Sequence, residues 1–170
     1  MEPIRVGILT ISDRAAQGVY PDESGAILKQ RVVEQIGGTV AQYAVVPDDI
    51  EAIQRVLRAW CDEERLDLIL TTGGTGLGPR DLTPEATRPL LEREAPGIAE
   101  ALRFYSLQQT PFAMLSRGVA GVRGRTLIIN LPGSPRAVRE AMDFLGKVLP
   151  HAIAMLRGET GPAAEHSLRI

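Results

Sequence analysis

The chain predicts an α/β fold: a three-layer sandwich around a mostly parallel sheet with helices on both faces, and one antiparallel hairpin near the C-terminal half. Three observations predict it. Short apolar runs alternate with amphipathic helical segments from Ile4 to Leu70, the pattern of a parallel sheet with crossover helices. The first run is apolar on both faces, as a doubly covered strand must be. A glycine-rich loop, Thr71 to Asp81, follows the third run, where open α/β sheets place their ligands.

Ile4 to Ser12 is the first strand, and Ser12-Asp13-Arg14 puts a polar cluster at its C-terminal end. After a loop with Gly18 and Pro21, the spacing of Ile27, Leu28, Val32, Val33 and Ile36 marks a helix, which Gly37-Gly38 stops. Val40 to Val46 is the second strand. Asp49 suits the N-cap of a helix carrying Ile50, Ile53, Val56, Leu57 and Trp60, and Leu66 to Leu70 is the third strand. Past the glycine loop, Thr83 is expected to cap a helix running to Arg93, with Pro84 at its first position. Pro96-Gly97 breaks it before a helix from Ile98 to Leu107, and Thr110-Pro111 starts a short helix through Leu115. Val119 to Val122 and Thr126 to Leu131 flank Arg123-Gly124-Arg125 as a hairpin. Ser134 caps a last helix that reaches Leu156. No repeat or linker divides the chain, so residues 1–170 are expected to form one domain, with 158–170 a loosely held tail.

At 44% hydrophobic and 24% charged, the composition is that of a globular protein, and 4% aromatic content makes the core aliphatic. A net charge of −2 argues against a generic nucleic-acid binder. Cys61 is the only cysteine, which precludes an internal disulfide, and beside Trp60 it reads as an inert thiol. The N-terminus lacks the basic and apolar regions of a signal peptide, and no apolar run is long enough to cross a membrane; a cytoplasmic location is expected.

The loop Thr71-Thr72-Gly73-Gly74-Thr75-Gly76-Leu77-Gly78-Pro79-Arg80-Asp81 can turn backbone N–H groups towards an anion. It is not a Walker A loop, because Gly78-Pro79-Arg80 stands where Gly-Lys-Ser/Thr is required. Nor is it the dinucleotide fingerprint, which needs glycine at position 79. A purely structural tight turn is the alternative. Asp48 and Asp81 both follow predicted strands; each could cap a helix, but together they suit Mg²⁺, which takes a few carboxylates plus phosphate oxygens. Asp13 is a third candidate at the same edge, and Arg80 brings a positive charge to the loop's exit. Ser116 and Ser134 lie outside any G-x-S-x-G elbow, and no cysteine or histidine cluster has zinc spacing.

Several of these motifs occur together in one family. Ser12-Asp13-Arg14, Pro47-Asp48, the glycine run with Pro79-Arg80-Asp81 and Thr83-Pro84-Glu85, Pro96-Gly97, Ser116-Arg117 and Leu131-Pro132-Gly133-Ser134-Pro135 appear in order. Over nearly its full length the chain resembles the MogA/MoaB family of molybdenum-cofactor biosynthesis, most closely its molybdopterin adenylyltransferases. The resemblance implies transfer of AMP from Mg-ATP to molybdopterin, with hand-over of the product to a molybdenum-insertion enzyme. The alternative it leaves is a MoaB-like pterin-binding protein without adenylyl transfer. It implies Asp48 and Asp81 as catalytic, Mg²⁺-holding residues. It also implies ligand contacts from Ser12, Asp13, Thr72, Gly73, Gly74, Thr75, Gly76, Arg80, Ser116, Pro132, Gly133 and Ser134, and a homotrimer.

Overall fold

The computed structural model of the chain describes residues 2–159. Most of the expected tail, 158–170, lies outside the described residues. Strand β1 (Arg5–Ile11) leads through a short helix α1 (Asp13–Ala16) to helix α2 (Glu23–Arg31), which continues as a π-helical turn, Val32–Ile36. Strand β2 (Thr39–Val46), helix α3 (Ile50–Arg58) and strand β3 (Leu68–Thr72) follow, then the glycine loop and helix α4 (Thr83–Thr87). Next come strand β4 (Arg93–Glu94), helix α5 (Pro96–Leu107), a 3-10 turn Pro111–Leu115, the hairpin β5 (Ala120–Arg123) and β6 (Thr126–Leu131), and helices α6 (Pro135–Leu145) and α7 (Leu149–Leu156).

The six strands form one sheet in the order β2-β1-β3-β6-β5-β4. β1, β2, β3 and β6 run parallel, while β5 is antiparallel to β6 and β4. The period-two alternation along each central strand divides the core between the two faces. Val6 and Ile8, Leu68 and Leu70, and Leu127 and Ile129 pack towards α2, α5, α6 and α7. Leu9, Ile11, Ile69 and Ile128 face α3 and α4 through Ile53, Leu57, Trp60 and Leu90. Each such side chain, fully buried, contributes about 1.5–3 kcal/mol. Cys61 belongs to this second core, and burial pushes its thiol up to about 11.

Four expectations need correction. The helix after the glycine loop stops at a 3-10 turn, Arg88–Leu90, because Pro89 has no N–H for a further helical bond. Arg93 and Glu94 instead pair with Val122 and Gly121 as a sixth strand. Thr83 caps nothing: the flanking residue is Leu82, and the Thr83 hydroxyl donates to the Gly73 carbonyl (2.8 Å). The last helix is two, since Pro150 cannot supply the N–H that would carry it across Gly146-Lys147-Val148. β3 also sits two residues later than expected, so Thr71 and Thr72 belong to the strand.

At the base of the sheet lies Asp67, 3% exposed. It accepts the Arg5 N–H (2.8 Å), two bonds from Arg157 (3.2 and 2.8 Å) and one from Arg125 (3.2 Å). Burial alone would raise its pKa, but Arg157, the Arg5 N–H and Arg125 together hold it below the ordinary carboxylate value. Asp67→Ala would leave the buried Arg157 guanidinium with only the more distant Glu159 (3.9 Å) as counter-charge, at a cost of about 3–5 kcal/mol, measured by urea unfolding. The folded pKa lies below the unfolded one. The contribution is therefore complete at neutral pH and fades as the pH falls below about 4, so the gap between wild type and Asp67→Ala should narrow on acidification.

Candidate functional site

α2 carries the chain from β1 to β2 over one face of the sheet, and α3 carries it from β2 back past β1 to β3 over the other. A crevice must open between the carboxyl ends of β1 and β3. A cavity of about 540 Å³ occupies it. Thr10 and Ser12 line it from the end of β1, Asp48 from the end of β2, Thr72, Gly73 and Gly74 from β3, with Asp81 and Gly133 at the rim.

Neither aspartate of the predicted pair caps a helix. Asp49 caps α3, accepting the Ala52 N–H (2.8 Å). Asp48 is thereby free to face the cavity: one carboxylate oxygen accepts the Asp13 N–H (2.9 Å), and the other lies towards Gly74. Asp81 accepts the Gly78 N–H (2.8 Å) with one oxygen, folding the glycine loop back on itself. Its carboxylate sits so close to Gly76 and Gly78 that a Cβ on either would lie 2.9 or 2.8 Å from it. Burial raises the Asp48 pKa above its ordinary value; the Asp13 N–H opposes this, and the charges of Asp13 and Asp81 reinforce it. Asp13 itself is held below its ordinary value, first by Arg80 and then by the Asp48 N–H. Among the described residues no group of three or more His, Cys, Asp or Glu side chains could hold a metal. Two mutually repelling carboxylates, each with one oxygen to spare, fit a hard divalent cation that draws its remaining ligands from phosphate and water.

The glycine loop is held from outside by Arg117. Its Nε donates to the Gly76 carbonyl (2.8 Å), one terminal nitrogen to the Asp81 carbonyl (2.8 Å) and the other to both Glu85 oxygens (2.8 and 2.9 Å). The Arg117 N–H binds the Thr75 carbonyl (2.8 Å). With the carbonyls turned outward, the N–H groups of Gly74, Thr75 and Gly76 meet no protein acceptor among the described residues. Such a row of free donors is what an anion requires. Gly73, at φ +100°, makes the first turn; a side chain there would overlap the Ile11 carbonyl.

A second cavity, of about 270 Å³, lies on the other side of the loop and is more apolar. Thr75, Gly76, Ser116, Pro132 and Ser134 line it, with Leu102 and Phe112 from α5 and the following turn. The predicted contact residues thus divide between two compartments. Segments 73–76 and 132–135 form the partition, since residues of both line each side. Thr72 binds the Pro132 carbonyl (2.7 Å), the Gly73 N–H binds that of Leu131 (3.2 Å), and Ser24 binds that of Gly133 (2.7 Å). Ser134 caps α6 through the Ala137 N–H (3.2 Å). Asp13 and Arg80 line neither cavity; they pair with each other at the rim.

Two residues at the site have roles that their sequence neighbourhood does not signal. Arg117 is the loop's clamp. Asp22 lines the first cavity and accepts from Thr10 (2.6 Å), Tyr43 and the Gly25 N–H (3.0 Å), joining β1 and β2 to the start of α2.

The family model described as "Probable molybdopterin binding domain" matches residues 7–151. The molybdenum cofactor synthesis protein cinnamon of Drosophila melanogaster is 49% identical over 92% of this chain, which spans 26% of that protein's length. A molybdopterin adenylyltransferase of Helicobacter pylori strain J99 is 40% identical over 93% of this chain and 90% of its own. The crystal structure of the molybdopterin biosynthesis enzyme MoaB of Thermus thermophilus superposes with a TM-score of 0.86 at 54% identity, covering 91% of this chain and 97% of that one.

Two outcomes follow from this geometry. Gly73→Ala should destabilise the protein by at least about 1 kcal/mol, from strain in the left-handed region alone, and more from the overlap with Ile11, as read by thermal unfolding. Asp81→Asn removes a like charge and should lower the Asp48 pKa part of the way towards its ordinary value, measured by carboxyl ¹³C titration in the absence of divalent metal.

Proposed function

This chain belongs to the molybdopterin binding domain family, and from that premise we propose that it is a molybdopterin adenylyltransferase. It would transfer AMP from Mg-ATP to molybdopterin and release pyrophosphate. The observation that carries this is the pairing of Asp48 and Asp81 across a row of free loop N–H groups, on a cavity that segments 73–76 and 132–135 divide from an apolar one. Several relatives named molybdopterin adenylyltransferase are 40% identical to this chain over most of their length.

In this reaction an oxygen of the pterin's terminal phosphate attacks the α-phosphorus of ATP. The new P–O bond forms as the bond to pyrophosphate breaks. The nucleophile is already an anion, so no side chain need take a proton. What remains is to hold two anions in line and offset the charge on the transferring and leaving phosphates. The N–H groups of Gly74, Thr75 and Gly76 would bind phosphate oxygens, and Asp48 and Asp81 would hold Mg²⁺, which supplies charge neutralisation when bound. The apolar compartment with Ser116, Pro132 and Ser134 suits the pterin, and Ser12, Thr72, Gly73 and Gly133 would line the nucleotide's compartment.

The proposal extends to a cytoplasmic enzyme that passes its adenylated product to a molybdenum-insertion enzyme. It also extends to a homotrimer, for which the exposed Phe104, Phe112, Met114 and Leu115 offer an apolar contact face. Likeness to a MoaB structure favours a second reading, a pterin-binding protein without transfer. Pyrophosphate release decides between them: the adenylyltransferase shows release that needs ATP, molybdopterin and Mg²⁺ together, and release absent under those conditions would sink it. Asp81→Asn should cut turnover about a hundredfold, the scale of losing one transition-state electrostatic contact, while pterin affinity by fluorescence quenching stays within about twofold.

A further inference from the structure

We propose that Asp13 and Arg80 are positioning residues, a bonded relay that fixes the two cation-facing carboxylates relative to each other and makes no contact with substrate. The inference rests on the proposed reading of Asp48 and Asp81 as the residues that hold the divalent cation.

Asp13 and Asp48 are joined reciprocally. The Asp13 N–H donates to one Asp48 carboxylate oxygen (2.9 Å), and the Asp48 N–H donates to one Asp13 carboxylate oxygen (2.9 Å). The ring they close links the first residue of α1 to the residue after Pro47, so both the backbone and the side chain of Asp48 are fixed at once. Arg80 then closes on Asp13 from the far side, its Nε and a terminal nitrogen each 3.1 Å from one oxygen. Asp13 thereby receives three donors, and the fork of Arg80 is spent on it. Neither side chain is among the residues lining the two cavities. Arg80 is covalently next to Asp81, so one chain of bonds runs from Asp48 through Asp13 and Arg80 to Asp81.

Asp48 comes from the end of β2 and Asp81 from the exit of the glycine loop, and the relay bridges these two separate loops. The chemistry also has a charge requirement. A third free carboxylate at the rim would repel incoming phosphates, and Arg80 neutralises it. Supporting residues of this kind typically change metal affinity by about 10–100-fold when removed.

The test measures Mn²⁺ binding by water-proton relaxation, in the presence of an ATP analogue with a non-cleavable α–β bridge and without pterin, so that no turnover is involved. Asp13→Ala should weaken Mn²⁺ binding about tenfold or more, Asp13→Asn less, and Arg80→Gln in the same direction. If the two act as one relay, Asp13→Ala/Arg80→Gln should be no weaker than Asp13→Ala alone. At saturating metal, KM for ATP and for molybdopterin should stay unchanged. Unaltered Mn²⁺ binding in both single variants would overturn the proposal, as would a raised KM at saturating metal, which marks direct substrate contact. Should Asp13→Ala not fold, Arg80→Gln carries the test, because that side chain is 64% exposed. A wild type that binds Mn²⁺ with the analogue but releases no pyrophosphate would refute the transferase reading, and the Mn²⁺ comparison would still decide the relay.

Discussion

Asp67 is a buried carboxylate at one end of the sheet, and the geometry at the other end depends on it. It binds the N–H of Arg5 as β1 begins, sits one residue before β3, and takes Arg157 from just beyond α7. Parallel strands have no hairpin turn to set their register, so an interaction at their entry must help to do so. Here β1 and β3 pair Val6 with Leu68 and Thr10 with Thr72, which brings Ile11 and Gly73 level at the far edge. A slip of one residue would turn Thr72 and Gly73 to opposite faces and separate them from Asp48. The anchor at the base and the ligand cavity at the top are two ends of the same register.

The chemistry at the top edge comes largely from backbone groups. Arg117 and Thr83 take up the loop's carbonyls, leaving its N–H groups for an anion. A lysine in place of Arg117 has no rigid fork and could not reach Gly76, Asp81 and Glu85 at once. The carboxylates are arranged in a complementary way. Asp48 and Asp81 each give one oxygen to a backbone N–H and keep the other, while Asp13 is saturated by its neighbours. In the proposed reading, Asp48 and Asp81 would hold one cation and Asp13 would steady Asp48.

The parallel core was legible because its strands and helices carry long, regular apolar periods. The sixth strand was not: Arg93 and Glu94 are exposed, only two residues long, and without any pattern. The break between α6 and α7 was hidden because Leu145, Val148 and Leu149 keep a helical spacing across it. At the site, the position of Asp48 and Asp81 after strands placed both at the sheet's edge. Asp49 capping α3 then removed the competing role of its neighbour. Arg117 and Asp22 could not be read in this way, because their partners come from distant loops and strands and leave no local signal. Thr83 misled for the converse reason. It has the residue type and position of a helix cap, but a tertiary bond to Gly73 claims its hydroxyl.

The partition between the two compartments is built from two segments, 73–76 and 132–135. A Cβ on Gly133 would lie 3.2 Å from the Gly73 Cα, so these two segments are packed closely against each other. Were the two proposed substrates to fill these compartments, a shift of the wall by one would be felt by the other. In thermodynamic language, their affinities would then be linked, and the linkage would be reciprocal: whatever one ligand did to the other's dissociation constant would be returned in equal measure.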